Sequence, residues 1–473
     1  MTTLPTPPNE LAYLRKNDIR ISDIRIINAG GLDIKLNKEH FQYFEILEDI
    51  FSSNLKGRMS IIDAANLPEN LKLCGQEVLL VSFATNPNME DINMGFVIDK
   101  ISERLPLKNE QAQIYDIHFT FPTFMNNIRQ RVSKAYDGPI SETVKDIFKN
   151  TLNAYEGENA IPLFTELTYG DFPVIIPNWR PVPAINWLAK RAISVKNKMK
   201  SDYVFFQDLD GFRFMSLSTL KSAPVREIYE SGPIRSRYVR PDPEGLADFD
   251  IPARNIEKLI IGGYDKSAEV MNGMYSSNMT VHDLLSKSIA KFKWNYQNEF
   301  ISELSLNGHS LLNPWSDMYS PYTTSKEYLI PRHNGMFGGV VTVPSALGTP
   351  YADVNILEYA QGDNSELWVQ SHESNKMQLK SSFIEIVVQG DTNRRVGDKV
   401  IVQINDHSST TSKIDTTLTG NYLITKIKHK ISYGGGHEMQ MRLNKDSFIE
   451  PIPSSWEYEH TDSGVDPTET VLE

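Results

Sequence analysis

Gly397–Gln403 reads GDKVIVQ and Asn421–Ile427 reads NYLITKI; far upstream, Gly75–Val81 reads GQEVLLV and Gly95–Ile101 reads GFVIDKI. The two pairs match in order and in phase. Val78 falls against Val400, Phe96 against Tyr422, Ile98 against Ile424, Lys100 against Lys426 and Ile101 against Ile427. Phe96 to Ile117 and Tyr422 to Leu443 each span 21 residues, which sets Tyr115 and Ile117 opposite Met441 and Leu443 without a gap. Only the first loop differs, with 18 residues from Val78 to Phe96 against 22 from Val400 to Tyr422. Strand side chains alternate between faces, so a match that keeps phase keeps the same residues on the same face. One reading is a single β unit present twice in the chain. The alternative is a chance likeness between two antiparallel three-strand units. If the repeat holds, three chains can close a ring of six like units through heterologous contacts.

Outward from the first copy, Ile19, Ile21, Ile24 and Ile26 alternate with polar residues, and FQYFEILEDI (Phe41–Ile50) is apolar and aromatic. EVLLVSFAT, GFVIDKISER and QIYDIHFTF follow, bounded by Asn, Gly and Pro, as short antiparallel strands should be. Near residue 121 the period lengthens. Ser141 is a candidate N-cap for Val144, Ile147, Phe148 and Leu152. Pro181 and Pro183 suit the first turn of a helix carrying Ile185, Leu188, Ala189, Ala192 and Ile193. YVFFQDLDGFRFMS reads as a hairpin around Asp-Gly. Residues 221–254, rich in Pro, Arg and Asp, read as a connector, followed by a strand at Ile256–Ile261. Thr280 is placed to cap a helix with Val281, Leu284, Leu285, Ile289 and Phe292 on one face. Residues 306–380 show weak periodicity and read as a loop-rich insertion with a few short strands. SSFIEIVVQG and the second copy then restore the strand period.

The expected fold class is therefore β-rich α+β, with two tube-like antiparallel β-barrel domains, an α/β module between them and a loop-rich insertion. The expected boundaries are an N-terminal arm at 1–17, a first barrel at 18–125, and the α/β module and connector at 126–254. A second barrel takes 255–305 and 381–448, interrupted by the insertion at 306–380, and an acidic tail runs over 449–473.

Composition narrows the function. The chain has 473 residues, 40% hydrophobic and 23% charged, ordinary values for a globular protein of several domains. One cysteine, Cys74, makes neither an internal disulfide nor a cysteine metal site. No stretch has the length and apolarity of a membrane span, and MTTLPTPPNELAYLRKND lacks the pattern of a signal peptide, so a cytoplasmically made, non-embedded protein is expected. The net charge of −12 opposes general nucleic-acid binding. From Glu450 to Glu473 there are seven acidic residues and no Lys or Arg, which reads as a solvated tail or a partner-binding arm.

These patterns resemble the trimeric central hub protein of contractile phage baseplates, a fold shared with the base of type VI secretion spike proteins. The likeness is clearest in GDKVIVQIND and GNYLITKIKHKISYGGGHEMQMRLNKDSF, which look like the closing strands of the hub's tube-like domain. GMYSSNMTVHDLLSKSIAKFKWNYQNEF (Gly273–Phe300), FEILEDIFSSNLKGRMSIIDAANLPENLKLCGQEVLLVSF and IIPNWRPVPAINWLAKRA are also similar to the family. The resemblance covers about residues 18–305 and 381–448. Its structural positions are Gly75, Val78, Phe96, Ile98, Gly273, Tyr275, Asp283, Lys287, Tyr296, Gly397, Val400, Tyr422, Ile424 and Leu443. It implies a non-enzymatic homotrimer in the virion tail baseplate, assembled in the host cytoplasm. One end would seat the central spike protein and the other would start the tail tube. Tape-measure and baseplate wedge proteins would be further partners, with DNA only in transit through the pore. No cofactor or metal is implied.

Catalytic patterns are absent: there is no GxSxG, HExxH or GxxxxGK[ST]. His118 and His429 fall in expected strands as packed or solvent-facing residues, and Cys74 has no base partner. Asp208, Asp210 and Gly211 read better as a hairpin turn than as a calcium loop. Gly434, Gly435 and Gly436 precede a strand, so they suit a hairpin and not a phosphate cradle. Lys426, Lys428 and Lys430 make one strand face basic, either solvated or set against acids of a neighbouring subunit. Rival readings are the hub of a tailocin or type VI-like device, a tail-associated cell-wall hydrolase using a cleft in 306–380, and a carbohydrate-binding tail protein using Trp315, Tyr319 and Tyr322.

Overall fold

The computed structural model describes residues 19–451 apart from 38–39, 86–90, 108–111, 154–159, 197–200, 232–254, 264, 266–268, 270–271, 273, 284–287, 297–303, 312–339, 345–364, 406–413 and 433–435. The first unit comprises β1 (Arg20–Ile27), β2 (Asp33–Lys35), β3 (Phe41–Asp49), β4 (Lys56–Asp63), β5 (Val78–Ala84), β6 (Ile92–Pro106) and β7 (Gln113–Thr120). The middle module holds β8 (Val132–Tyr136), β9 (Leu163–Thr165), β10 (Val174–Trp179), and the hairpin of β11 (Tyr203–Asp208) and β12 (Gly211–Ser216), with helices Ile140–Ile147 and Pro181–Arg191. Then come β13 (Val225–Ser231), β14 (Lys258–Ile261), β15 (Ser276–Asp283), β16 (Ser288–Asn295), β17 (His309–Ser310) and β18 (Val340–Pro344). A helix at Ser365–Ser381 leads into β19 (Ser382–Gln389), β20 (Lys399–Ile404), β21 (Gly420–Ser432) and β22 (Gly436–Lys445). The fold is β-rich α+β.

The duplication is visible in the strand order. Hydrogen-bonded neighbours run β3-β4-β7-β6-β5-β1 in the first unit and β14-β19-β22-β21-β20-β13 in the second. The long central strands even bulge at the same place, between Ile98 and Lys100 in β6 and between Ile424 and Lys426 in β21. The order breaks at one edge, where β1 runs antiparallel to β5 but β13 runs parallel to β20. β13 lies inside the stretch expected to be a connector. Its charged outward positions hide its period, and pairing with β20 makes it a strand.

The register corrects the match read from sequence. Phe96 stands opposite Leu79, and Tyr422 stands opposite Val400. Val400 therefore corresponds to Leu79, not to Val78. Leu79 and Val400 are fully buried, whereas Val78 is 36% exposed. The cause is Gln76. Gly75 and Gly397 both turn the chain with positive φ, at 88° and 89°. Ile98 N then donates to Glu77 O at 3.0 Å, as Ile424 N donates to Asp398 O at 2.9 Å. The first copy thus has one extra residue between the glycine and the acid. Further on, Ile101 faces Ile117 as Ile427 faces Met441, so Leu443 corresponds to Phe119.

Each unit packs its own core. Phe44, Ile46, Leu79, Phe96, Ile98 and Ile117 lie in one cluster, and Val400, Val402, Tyr422, Ile424, Met441 and Leu443 in another. Strand β11 lies between them and is buried on both faces. Tyr203 and Phe205 point into the first cluster, while Val204 and Phe206 point into the second. Period-2 alternation thus lets one strand serve two cores. Lys221 and Asp446, both buried, pair at 2.7 Å and tie the middle module to the end of β22.

Three local expectations change. The helix begins at Ile140, with Ser141 in its first turn and Pro139 at the cap; Val144, Ile147, Phe148 and Leu152 are buried as its period requires. The helix expected from Thr280 is instead the hairpin of β15 and β16, with Met279 opposite Phe292 and Val281 opposite Ala290. Ile289 is 64% exposed, so no single apolar helical face existed. Parallel pairing of β15 with β18 and the edge-to-face contact of Tyr275 with Tyr296 (5.6 Å) favour the sheet. Last, the end of the expected insertion is the helix Ser365–Ser381. It buries polar residues: Gln370 Nε2 donates to Ser277 O at 2.9 Å, and Ser374 Oγ to Met274 O at 2.8 Å. The Arg191 guanidinium lies between the rings of Trp187 and Trp368, 3.8 and 4.3 Å from their centroids, and pins this helix to Pro181–Arg191. Such a helix has little apolar period to read.

The register makes a contrast that a stability measurement checks. Leu79→Ala should cost about 2–5 kcal/mol in urea unfolding, the usual range for a buried Leu, while Val78→Ala should cost less than about 1 kcal/mol. Equal costs would contradict the assignment of Leu79 as the counterpart of Val400.

Candidate functional site

The two units meet along β3 and β21. One edge of β3 pairs with β4, and the other pairs with β21 from Asp49 opposite Lys426 to Tyr43 opposite Ser432. This junction makes one continuous 13-stranded sheet from both units. On one face, Lys426 Nζ lies 2.9 Å from Asp49 Oδ2 and Lys428 Nζ lies 3.4 Å from Glu45 Oε1. Arg58 Nε holds the same Glu45 at 2.9 Å, and Lys430 lies over the Tyr43 ring at 5.4 Å. The basic strand face is therefore met by acids of the chain's own N-terminal half. These half-exposed pairs contribute little energy each, but they favour one register.

The opposite face carries a buried polar chain. Glu48 Oε1 lies 3.0 Å from His429 Nε2, His429 Nδ1 lies 3.1 Å from His437 Nε2, and His437 Nδ1 lies 3.0 Å from Thr85 Oγ1. Thr85 Oγ1 also accepts the Thr392 N–H at 3.0 Å. Glu48 and Thr85 belong to the first unit; His429, His437 and Thr392 belong to the second. A β-carbon on Gly390 would stand 2.0 Å from His437 Cγ, so only glycine leaves room for this ring.

Burial pushes the Glu48 carboxyl up to about 8, against the pull of Arg395 and the Val396 N–H. Burial, helped by Arg395, pushes His429 down to about 3, and burial with His429 nearby pushes His437 well down too. Burial thus favours the neutral form of each. With the carboxyl protonated, Glu48 donates to His429, His429 to His437 and His437 to Thr85; the reverse run, from the Thr85 hydroxyl to the Glu48 carboxylate, satisfies the same contacts. A slip of the junction by one residue would strand these groups without partners, at a cost of about 1–3 kcal/mol each. Glu48, His429 and His437 are all buried, and the consequence of the network is register.

Beside it, Arg395 Nη2 donates to Asp210 Oδ1 at 2.6 Å, and Arg213 binds both Asp208 and Asp210. Asp208 Oδ1 accepts the N–H groups of Asp210 and Gly211 at 2.9 and 3.0 Å. This is a hairpin turn neutralised by two guanidiniums. Among the described residues, no group of His, Cys, Asp and Glu is placed to hold a metal ion.

The singled-out residues fall in three places. Gly75 and Gly397 are turn glycines, Phe96, Ile98, Val400, Tyr422, Ile424 and Leu443 are core, and Val78 is at the surface. Tyr275 and Tyr296 pack together, and the Tyr275 hydroxyl donates to Glu269. Asp283 ends β15, opposite Ser288. Gly273, Lys287, Gly434 and Gly435 lie outside the described residues, as do Trp315, Tyr319 and Tyr322. His118 Nε2 meets Ser102 Oγ at 2.9 Å, and Cys74 is exposed. Sequence reading singled out His429 but missed Glu48, His437, Thr85 and Thr392. The available signal was Glu48, an acid at an inward position of FEILEDI.

No family model and no curated protein matches the chain. Among solved structures it is similar to a tail protein from Neisseria meningitidis, with 11% identity, covering 91% of this chain and 99% of that one, at a TM-score of 0.49. It is also similar to the 43 kDa tail protein of prophage MuSo2 from Shewanella oneidensis, with 10% identity, covering 90% and 99%, at 0.49. A third is the E. coli c3393 protein, described as a type VI secretion component similar to T4 bacteriophage tail proteins, with 9% identity, covering 90% and 76%, at 0.40.

The buried chain makes stability depend on pH with a defined sign. Glu48 has a higher pKa folded than unfolded, so its contribution is complete below about 4.5 and is lost as pH rises to about 8. The histidines oppose this only below about 6.5, where the unfolded chain takes up their protons. Between pH 6.5 and 8.5 the wild type should therefore lose about 2 kcal/mol through Glu48. Glu48→Gln, always neutral, should flatten that interval; a urea-unfolding series at both pH values checks it.

Proposed function

We propose that the chain is a structural, non-enzymatic subunit of a tail baseplate hub. The observation that carries this is the duplicated six-strand order, with both copies joined in one sheet by β3 and β21. A chain holding two like units offers a threefold assembly a ring of six. Such a ring can seat a threefold spike on one side and a sixfold tube on the other. The sequence resemblance to contractile-tail hubs supports the same reading, and so does the character of the junction. Its charges are paired or buried, and its polar groups set geometry. In this reading the chain works as a homotrimer in the virion tail baseplate, assembled in the host cytoplasm, with the central spike and the tube or its initiator as partners. DNA passes only in transit. A tailocin or type VI-like device would use the same ring.

Light scattering of the purified chain, alone and with its spike, tests this. A trimer, or a monomer that forms a 3:3 complex with the spike, is expected. A monomer indifferent to the spike would overturn the hub reading.

A further inference from the structure

The ribbon of β8 and β10 ends in an arrangement that the seam and the two cores do not use. Its register puts Ile176 opposite Lys134 and Trp179 opposite Val132, so β10 carries one extra residue between these pairs. Asn178 sits there with a φ of 56°, a left-handed conformation that Asn tolerates better than most residues. Such a bulge re-aims a neighbouring side chain. Trp179 meets Trp187 edge to face with centroids 5.5 Å apart, and Phe172 lies 6.0 Å from the same Trp187. Antiparallel pairing continued one step past Trp179 and Val132 brings Arg180 beside Arg131. Both arginines are exposed, and neither has an acidic partner among the described residues. Arg131 donates to main-chain oxygens, those of Ile128 and Gln130. Two like charges side by side at the end of a strand pair repel. Together with Trp179 and Trp187 they line a hollow of about 460 Å³.

We propose that this hollow is the dock of the chain's own acidic tail, entered by Trp456–Glu459. The four residues read Trp-Glu-Tyr-Glu, within a stretch from Glu450 to Glu473 that has seven acids and no Lys or Arg. Its two carboxylates, two residues apart, match two adjacent guanidiniums, which bind carboxylates through charge-assisted hydrogen bonds. Its two rings, again two residues apart, match the paired tryptophans, since aromatic pairs add to the gain from burial. In an extended chain alternate residues point to opposite sides. Rings and acids can then address the aromatic and the basic parts of the hollow at once. A small inorganic anion would satisfy the arginines and leave the rings unused.

The distance suits a tail of the same chain. Ser382 pairs with Lys445, so the last turn of the helix Ser365–Ser381 stands beside the end of β22. From Ser381 back to Trp368 is 13 residues, about 20 Å of helix. Trp368 and Trp187 share the Arg191 guanidinium, and Trp187 lines the hollow. From Phe448, which ends the last short strand, to Trp456 is eight residues, up to about 28 Å when extended. The two lengths are comparable, and the segment arrives without a cation that would repel the arginines. This docking is independent of the hub reading and needs no second copy.

The test uses the full chain with Cys74→Ser. Pro183→Cys, at an exposed position lining the hollow, and Ser455→Cys, beside Trp456, are introduced together and oxidised mildly. An internal disulfide is expected, read as a monomer on a non-reducing gel and as one linked peptide pair by mass spectrometry. Adding Arg131→Ala and Arg180→Ala, both exposed and so compatible with folding, should slow its formation several-fold. High salt should slow it in the parent chain too, because exposed charges are screened. Absence of the internal disulfide would overturn the proposal. So would an equal rate with and without the two arginines, which means a tail that merely collides. Covalent dimers alone would also overturn it, since they put the tail of a second copy in the hollow. A chain that stays monomeric with and without the spike, yet forms the arginine-dependent disulfide, would sink the hub reading and support this one.

Discussion

Everything else in this molecule depends on the hydrogen-bonded seam between β3 and β21. It joins an N-terminal strand to a strand almost four hundred residues later and turns two sheets into one. Between the two units the hydrophobic clusters exchange residues only at this seam, where Ile431 of β21 packs in the first and Ile50, just after β3, packs in the second. The seam supplies the relation. Its charged face and its buried polar face favour the same register, and a shift by one residue would expose the histidines and bury the lysines.

The middle module reinforces that relation. Strand β11 contributes alternate aromatic residues to both clusters, so neither core is complete without it. The Asp208 turn at its end is held by Arg213, and Asp210 by Arg395 just before the second copy. Burial of apolar surface provides most of the stabilisation, and these polar contacts select which burial occurs. A chain of non-local pairings like this one has a high contact order and should fold slowly.

Much of this was legible in the sequence, for identifiable reasons. The strands of both units, the Asp-Gly hairpin and the helix after Pro181 follow from apolar period and turn residues. The repeat was legible too, because core positions such as Ile98 and Ile424 keep their type. Its fine register was not. The odd residue Gln76 lies in a turn, where no periodicity records it, and the two-residue difference before Ile117 is even, so it leaves the faces in phase. The helix Ser365–Ser381 buries polar residues, and β13 shows charged ones, so neither announces itself. The junction network was hidden for a different reason: Glu48 and His429 become neighbours only through the fold.

Gln76 carries a consequence for how a copied module can diverge. Gly75 has already reversed the chain when the extra residue enters, so the strand that follows regains its original facing before its first buried side chain. The same insertion two or three residues later would have turned Leu79, Val81 and Phe83 outward. Copies of a module can therefore drift in length at their left-handed glycines while their interiors stay interchangeable. The glycine turn acts as an expansion joint, and it leaves an ancestral symmetry readable in the strand order long after the letters have changed.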